Sequence, residues 1–516
     1  MEIKGNKLDS ISSVRKNIIS WYPFENGCTI LEIGENNKEI TETLCQNANK
    51  VMSTTIDNIG NINEKFDYII LIGLEDITNN IQELFNETKK LLNPNGKLLI
   101  AMDNKYSIKN LSTKEGIEKI LSNDNKMYTL NEVVELLKIA GFNEQKIYYP
   151  LTDYKFTNVI FTDDEKISKS ELARNIVYND EENIKFFEEN DLMDKMLEDN
   201  IEFKYFANSF FIEVFNGDYI DNEIRLVTFS NIRKNKYKIK TIVKKDFVYK
   251  YPDGQESKKH IENVKRNIDI IVDSKLKTID SYDNEKIISK YVENDTFDKV
   301  IIKTAKTDKN QAIELIKKFK QNLVNNLEEG DKEKNVFDKY SIDYNEETIE
   351  NMKFAKYGLW DLIFQNCFYI DGDFYFYDQE WMEENIPIDF ILYRAIKYFT
   401  KIRKYIQIEE LYKILDINEE KIKIFEELDD KIQEESRNDT VWQMQKNGKS
   451  IEELRIQKLT DNHTINLLNI ELENKNREIE ALKTEYEKIK NQINVIHQSK
   501  SWKLTAPLRK IMGKLK

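Results

Sequence analysis

Between Cys28 and Gly141 short, almost uninterrupted apolar runs alternate with amphipathic stretches and glycine-bearing turns. That alternation restricts the N-terminal third to a mostly parallel sheet covered on both faces, because only strands buried on both sides carry such continuous apolar runs. CTILEIGENNKEITETLCQNANKVMSTTID reads as an apolar run, a glycine turn, a helical stretch and a second apolar run, which is a β-α-β unit. The pattern repeats through FDYIILIG (Phe66 to Gly73), an amphipathic stretch from Ile81 to Leu92, the turn Asn93-Pro94-Asn95-Gly96 and KLLIAMDN. A helix over Thr129 to Ala140 leads to KIYYP and, after an insertion, to FANSFFIEVF, a pair suited to an antiparallel end of the sheet.

With 516 residues the chain is long enough for roughly three or four folding units, each with its own core. Mean hydropathy is −0.63. No window approaches the roughly 18 uninterrupted apolar residues of a membrane span. MEIKGNKLDS has no apolar signal core, and Cys28, Cys45 and Cys367 form no C-x-x-C pair, so a reducing, cytoplasmic setting is expected. A net charge of −14 argues against a general nucleic-acid binder. Only three histidines are present, which disfavours His-dependent metal or triad chemistry.

LEIGENNKEIT, FDYIILIGLED, LLNPNGKLLIAMDN and LLKIAGF together resemble class I S-adenosylmethionine-dependent methyltransferases over about residues 1–217. The resemblance implies a Rossmann-like α/β domain that binds S-adenosylmethionine. It also implies that Glu32 and Gly34 line the cofactor, with Gly73 at the end of the family's fourth strand. The second and third glycine positions of E-x-G-x-G-x-G are Asn36 and Lys38, and the ribose acid falls near Thr55, with Asp57 the nearest substitute. A Cβ at a position selected for close approach costs strain or displaces the ligand.

A second constellation lies in GLWDLIFQNCFYIDGDFYFYDQEW, where Asp361 precedes Asn366 by five residues and Asp378 follows twelve later. In phosphoryl transfer one carboxylate orients the attacking hydroxyl while an amide and a second carboxylate hold the metal ions that neutralise the phosphates. Asp361 suits the first task, Asn366 and Asp378 the magnesium. Two short strands, Asn366 to Ile370 and Asp373 to Tyr377, are expected to meet at the Asp371-Gly372 turn and bring Asp378 back beside Asn366. An ordinary hairpin with solvated acids is the competing reading.

Upstream, RLVTFSNIRKNKYKIKTIVKKDFVYKYP reads as three antiparallel strands, followed by a helix over Glu256 to Val272 and a strand in KIISKYVEN. A kinase small lobe has this order, with a strand lysine on the phosphates and a helix glutamate holding it. Lys250 and Glu262 are the expected ATP-site pair. These features resemble the aminoglycoside- and lipopolysaccharide-kinase-like branch of the protein kinase fold over about residues 218–435, an α+β domain, with H-G-D-x4-N present as LWDLIFQN. No glycine-rich phosphate loop is present, the candidate turn being SNIRKNK.

From Ile465 the apolar positions alternate by three and four through Leu468, Leu472, Ile479, Leu482, Tyr486, Ile489, Ile493 and Ile496, with Lys475 as the polar occupant. Such a seam predicts a coiled coil, and therefore a homo-oligomer, within a segment 436–498. A helix packed back on the preceding domain is the alternative. The tail 499–516, SKSWKLTAPLRKIMGKLK, interleaves six cations with Trp502 and aliphatics and suits an anionic membrane surface, a solvated basic tail being the alternative. SWKLTAPLRK also resembles a tail recurring on bacterial glycosyltransferases and surface-polysaccharide proteins.

The order of these segments resembles the bifunctional kinase-methyltransferases that terminate bacterial O-antigen polysaccharides. That resemblance implies a cytoplasmic, membrane-peripheral enzyme acting on a surface glycan or lipid-linked saccharide with S-adenosylmethionine, ATP and Mg2+, beside a glycosyltransferase partner. Two alternatives stay open: a non-catalytic scaffold of degenerate folds, and a methyltransferase active alone.

Overall fold

The computed structural model describes residues 9–34, 38–77, 80–122, 127–165, 172, 185–437 and 451–512. They fall into two units, residues 1–448 and 449–516. Asn36 lies outside the described residues.

The alternation of the N-terminal third becomes seven strands: β1 (Thr29–Ile33), β2 (Lys50–Thr54), β3 (Phe66–Ile72), β4 (Leu92–Asp103), β5 (Glu144–Thr152), β6 (Thr157–Phe161) and β7 (Ser209–Phe215). The helices expected between them are α1 (Lys38–Asn47), α2 (Ile81–Leu91) and α3 (Leu130–Ile139). Strands β2, β1, β3 and β4 are parallel, and β7 runs antiparallel between β4 and β5. Side chains explain the continuous apolar runs. On β3, Ile69 and Leu71 join one core with Leu98 and Ile100, while Tyr68 and Ile70 join another with Leu99 and Ala101. Each such aliphatic contributes about 1.5–3 kcal/mol by leaving water. Helix α3 starts with a capping box, Thr129 Oγ1 accepting from Glu132 N–H and the Glu132 carboxylate accepting from Thr129 N–H.

The next five strands are β8 (Ile224–Phe229), β9 (Ile239–Lys244), β10 (Phe247–Pro252), β12 (Asp280–Tyr282) and β13 (Ile287–Lys290); α4 (Lys258–Asp273) and the two-residue β11 (Lys277–Thr278) separate β10 from β12. They form an antiparallel set in the order β8-β9-β10-β13-β12. The expected domain boundary at residue 217 falls between β7 and β8, yet β6 pairs with β8, so one twelve-stranded sheet runs across it.

The rest of the first unit is mostly helical: α5 (Lys309–Asn326), α6 (Ile388–Lys397) and α7 (Glu419–Ser436) pack around Phe319, Phe364, Phe374, Tyr393 and Phe425. Among them lie β14 (Phe354–Leu359), β15 (Cys367–Ile370), β16 (Asp373–Phe376) and β17 (Met382–Pro387). Strands β15 and β16 form the expected hairpin, with Asp371 at φ +51° and Gly372 at φ +89°, the two positive values that a type I′ turn requires. Strand β14 pairs with β17 directly after the Asp378 segment.

In the second unit α8 (Ile451–Gln498) is one helix of 48 residues. Ile465, Leu468, Leu472, Ile479, Leu482, Tyr486, Ile489, Ile493 and Ile496 are all exposed. Ser499 ends α8 and caps the next helix by accepting from Trp502 N–H at 3.2 Å. The tail folds as α9 (Lys500–Leu504) and α10 (Ala506–Met512). Trp502 is covered by Arg509 and His497, and among the described side chains of the tip Leu504, Leu508 and Met512 are large, apolar and exposed. Among the described residues no helix is long and apolar enough to cross a membrane.

Candidate functional sites

In the N-terminal part of the sheet the chain moves from β1 to β2 on one side and then to β3 on the other. Ligands of open α/β sheets bind at such a switch point, outside the carboxyl ends of the strands. Gly34 follows β1 with φ +140° and Gly73 follows β3 with φ +81°, so two expected residues stand at this crevice in conformations that glycine favours. Glu32 is buried, and its Oε2 accepts from Thr41 Oγ1 at 2.8 Å and Ser53 Oγ at 2.7 Å, tying β1 to α1 and β2. Asp57 is exposed in the short helix after β2, and Lys38 is exposed at the start of α1.

Residues not anticipated from sequence close the crevice. Tyr154 O–H donates to Glu75 Oε1 at 2.8 Å, and Lys155 Nζ lies 3.5 Å from Asp103 and 4.0 Å from Glu75. Lys109 pairs with the buried Asp153 at 3.1 Å. Burial, and then the Asp103 charge, push the Glu75 carboxyl up to about 7. Asp103 is also raised, burial outweighing Lys155. Two carboxyl groups in one site cannot both ionise cheaply, which is why the Asp103 charge adds to the rise that burial causes at Glu75.

The second cleft centres on Glu380, which is 7% exposed. Its Oε1 accepts from Lys250 Nζ at 2.9 Å, Arg233 pairs with its Oε2, and His260 Nε2 lies 3.4 Å from that same oxygen. Burial would raise this carboxyl, but Arg233, Lys250 and the His260 hydrogen bond outweigh it and hold it well below the usual range. Lys250 also pairs with Asp378. The expected Lys250–Glu262 pair is corrected here. The buried stripe of α4 is His260, Ile261, Val264, Asn267, Ile268 and Ile271, and Glu262, two residues past His260, points outward and is exposed.

Asp361, Asn366 and Asp378 lie on adjoining stretches of backbone, while their side chains have separate partners. Asn366 Nδ2 donates to Asp361 O at 3.2 Å, and Tyr377 N–H donates to Asn366 O at 3.1 Å, which sets Asp378 next to Asn366. Asp378 has φ +62°, and its N–H donates to Asp280 Oδ2 at 2.9 Å. The Asp361 carboxylate accepts from Arg394 Nη2 at 3.0 Å, and Arg394 also pairs with the buried Asp429. Burial raises the Asp361 carboxyl and Arg394 offsets part of that rise. Among the described residues no group of three His, Cys, Asp or Glu is placed to hold a metal. One amide and one carboxylate still suit Mg2+, which usually completes its shell with phosphate and water. A cavity of about 320 Å3 opens at Glu380, walled in part by Tyr237, His260, Trp360, Trp381 and Glu383; Asp361, Asn366 and Asp378 do not line it.

No protein-family model matches this sequence, and a search of curated proteins finds no match. Solved structures similar to the N-terminal two-fifths are S-adenosylmethionine-dependent methyltransferases. One is the plantazolicin methyltransferase BamL in complex with a triazolic desmethylPZN analog and S-adenosylhomocysteine, at 14% identity over 40% of this chain and 84% of that one, TM-score 0.23. Another, from Archaeoglobus fulgidus, has 11% identity over 41% and 95%, TM-score 0.26. A third, phosphoethanolamine N-methyltransferase 2 from Haemonchus contortus, has 13% identity over 40% and 52%, TM-score 0.23. At these scores the fold assignment rests on this chain's own strand order.

Some missed residues carried a signal. Arg394 is the lone arginine in the apolar run FILYRAI, a pattern of a buried, paired charge. Glu380 follows Asp378 by two residues inside an aromatic stretch. Tyr154 and Lys155 carried none, because they reach the crevice from a segment about 80 residues after Glu75.

Proposed function

We propose that the chain is an S-adenosylmethionine-dependent methyltransferase whose sheet is continued by a kinase-like unit, and that it modifies a bacterial surface glycan at the inner face of the membrane. The observation that carries the methyltransferase reading is the strand order β2-β1-β3-β4-β7-β5, with β7 reversed and Gly34 and Gly73 flanking the switch point. The similar structures solved with S-adenosylhomocysteine accord with that cofactor. Calorimetry of the full chain tests it: S-adenosylhomocysteine should release heat of binding, and a folded sample silent at millimolar ligand would sink the reading.

The kinase-like reading is supported by the order β8-β9-β10-β13-β12 with Lys250 in its central strand, and by the Asp361-Asn366-Asp378 hairpin. In this reading Asn366 and Asp378 hold Mg2+, Asp361 orients the acceptor hydroxyl after exchanging Arg394 for it, and the cavity beside Trp360 receives the acceptor. Titration with Mg-ATP tests it, and Asp378→Ala should remove the binding. Glycan capping and membrane attachment rest on the domain order, the exposed seam and the basic tip. Deleting residues 449–516 should leave a monomer, and deleting 499–516 should leave an oligomer that no longer sediments with anionic liposomes.

A further inference from the structure

A phosphate loop works through backbone N–H groups that glycines leave free to face the ligand. The turn between β8 and β9, residues 230–238, contains no glycine, and much of its backbone is already engaged. Arg233 N–H donates to Ser230 O, Lys234 N–H to Ser436 O, Tyr237 N–H to Lys234 O and Lys238 N–H to Asn235 O, all within 3.2 Å. Lys234 Nζ and Tyr237 O–H further pin the turn to the end of α7, at Glu434 O and Glu435. A turn held this way cannot wrap phosphates with its amides. Into the cleft it sends Tyr237, which packs on His260 and Trp381, and one cation that reaches the carboxylate, Arg233.

Arg233 and Lys250 converge on the Glu380 carboxylate from one antiparallel set, the first from the β8–β9 turn and the second from β10. Lys250 also touches Asp378, the carboxylate assigned to the metal. The Arg233 side chain retains 25% exposure while Glu380 retains 6%, so an anion entering the cleft meets the guanidinium before the carboxylate. A guanidinium presents a planar fork that matches phosphate oxygens as well as carboxylate oxygens.

We propose that this cluster is a nucleoside-triphosphate site in its closed state, in which the Glu380 carboxylate stands where phosphate oxygens bind and Arg233 replaces the missing glycine-rich loop. The proposal rests on the kinase-like reading and adds to it the phosphate-binding side chain and an internal competitor. On binding, Asp378 would leave Lys250 to hold Mg2+, and Arg233 and Lys250 would turn from Glu380, which keeps His260, to the phosphates. No bond is made or broken in this exchange, and the pinned turn needs only a side-chain rotation.

The test is calorimetry of the full-length protein with Mg-ATP, Mg-tripolyphosphate and adenosine as separate titrants, for wild type, Arg233→Ala, Arg233→Lys and Glu380→Gln. Arg233→Ala should weaken both phosphate titrants at least about tenfold and leave adenosine unchanged, and Arg233→Lys should fall between, since one charge without the fork restores part of the contact. Glu380→Gln should tighten tripolyphosphate. Wild-type binding that Arg233→Ala leaves unchanged overturns this inference and spares the kinase-like reading. A wild type that binds neither phosphate titrant overturns both. Should Glu380→Gln fail to fold, the two Arg233 variants still decide, because Glu380 keeps Lys250 and His260 in them.

Discussion

The crevice beside Gly34 and Gly73 and the cleft around Glu380 belong to one continuous sheet, but they hold charge in opposite ways. At the crevice two carboxyls, Glu75 and Asp103, share one nearby lysine and are raised, so the site sits close to a protonation change. In the cleft Glu380 meets Arg233 and Lys250 directly and is held far below its usual range, whereas Asp361, paired with Arg394 alone, is still raised by burial. A ligand of the crevice meets backbone and a poised proton. A ligand of the cleft must exchange ion-pair partners, which favours one that carries several charges.

The largest effect expected comes from breaking the closed cleft at Arg394. Arg394→Met removes the cation shared by Asp361 and Asp429 and the hydrogen bond to Trp360 O at 3.0 Å. Removing one partner of a buried pair costs about 3–5 kcal/mol, because the Asp361 charge is left without compensation, while Asp429 keeps Lys397 at 2.7 Å. Urea denaturation should show a loss of that size, and a loss under about 1 kcal/mol would mean that the cleft is as tolerant as the crevice.

At the crevice the signature is pH. Burial and the Asp103 charge push the Glu75 carboxyl up from 4.5 to about 7. A carboxyl raised by folding contributes stability that is complete below the unfolded value and is lost as pH rises through the folded one. Wild type should therefore lose stability between about pH 4.5 and 7, by up to about 3 kcal/mol, and Glu75→Gln should remove most of that slope. Parallel pH profiles for the two proteins would put the proton elsewhere.

A smaller effect separates backbone from charge. The space at Gly34 accepts a Cβ, the nearest atom being Ile77 Cδ1 at 3.5 Å, so the constraint is the φ of +140°. Gly34→Ala should keep the fold and weaken S-adenosylhomocysteine at least about tenfold, roughly 1.4 kcal/mol, by turning the backbone that meets the ligand. Unchanged calorimetric affinity would show that the ligand does not approach this turn.

How much of this was legible before folding differed by region for a physical reason. Strands β1, β3 and β4 and the Asp371-Gly372 hairpin follow from local period and turn chemistry, and their ends carry Gly34, Gly73, Asn366 and Asp378 to the sites. The partners of those residues were hidden, since they come from afar: Tyr154 reaches Glu75, Arg233 reaches Glu380 across 147 residues, and Arg394 reaches Asp361 from α6. Chain spacing alone brings Glu262 near Lys250, but the helical phase set by the apolar stripe of α4 turns His260 inward and Glu262 outward. The joining of the two sheets was hidden too, for β6–β8 pairing depends on which edge remains open after β5 and β7 have paired.

The smallest effect expected tests whether the crevice carries the charge assigned to it. Tyr154 O–H donates to Glu75, a bond that favours the ionised carboxylate and so opposes the rise caused by burial. Tyr154→Phe should cost about 0.5–1.5 kcal/mol, a typical net hydrogen bond. The cost should be greater at pH 8 than at pH 5, because a hydrogen bond to a carboxylate is stronger than one to a neutral carboxyl. The midpoint of the Glu75-dependent transition should move up as the stabilising donor disappears. Stability curves of wild type and Tyr154→Phe at the two pH values decide the matter: a cost independent of pH would mean that Glu75 does not change charge between them, and the contrast with the cleft would then rest on the glycines alone.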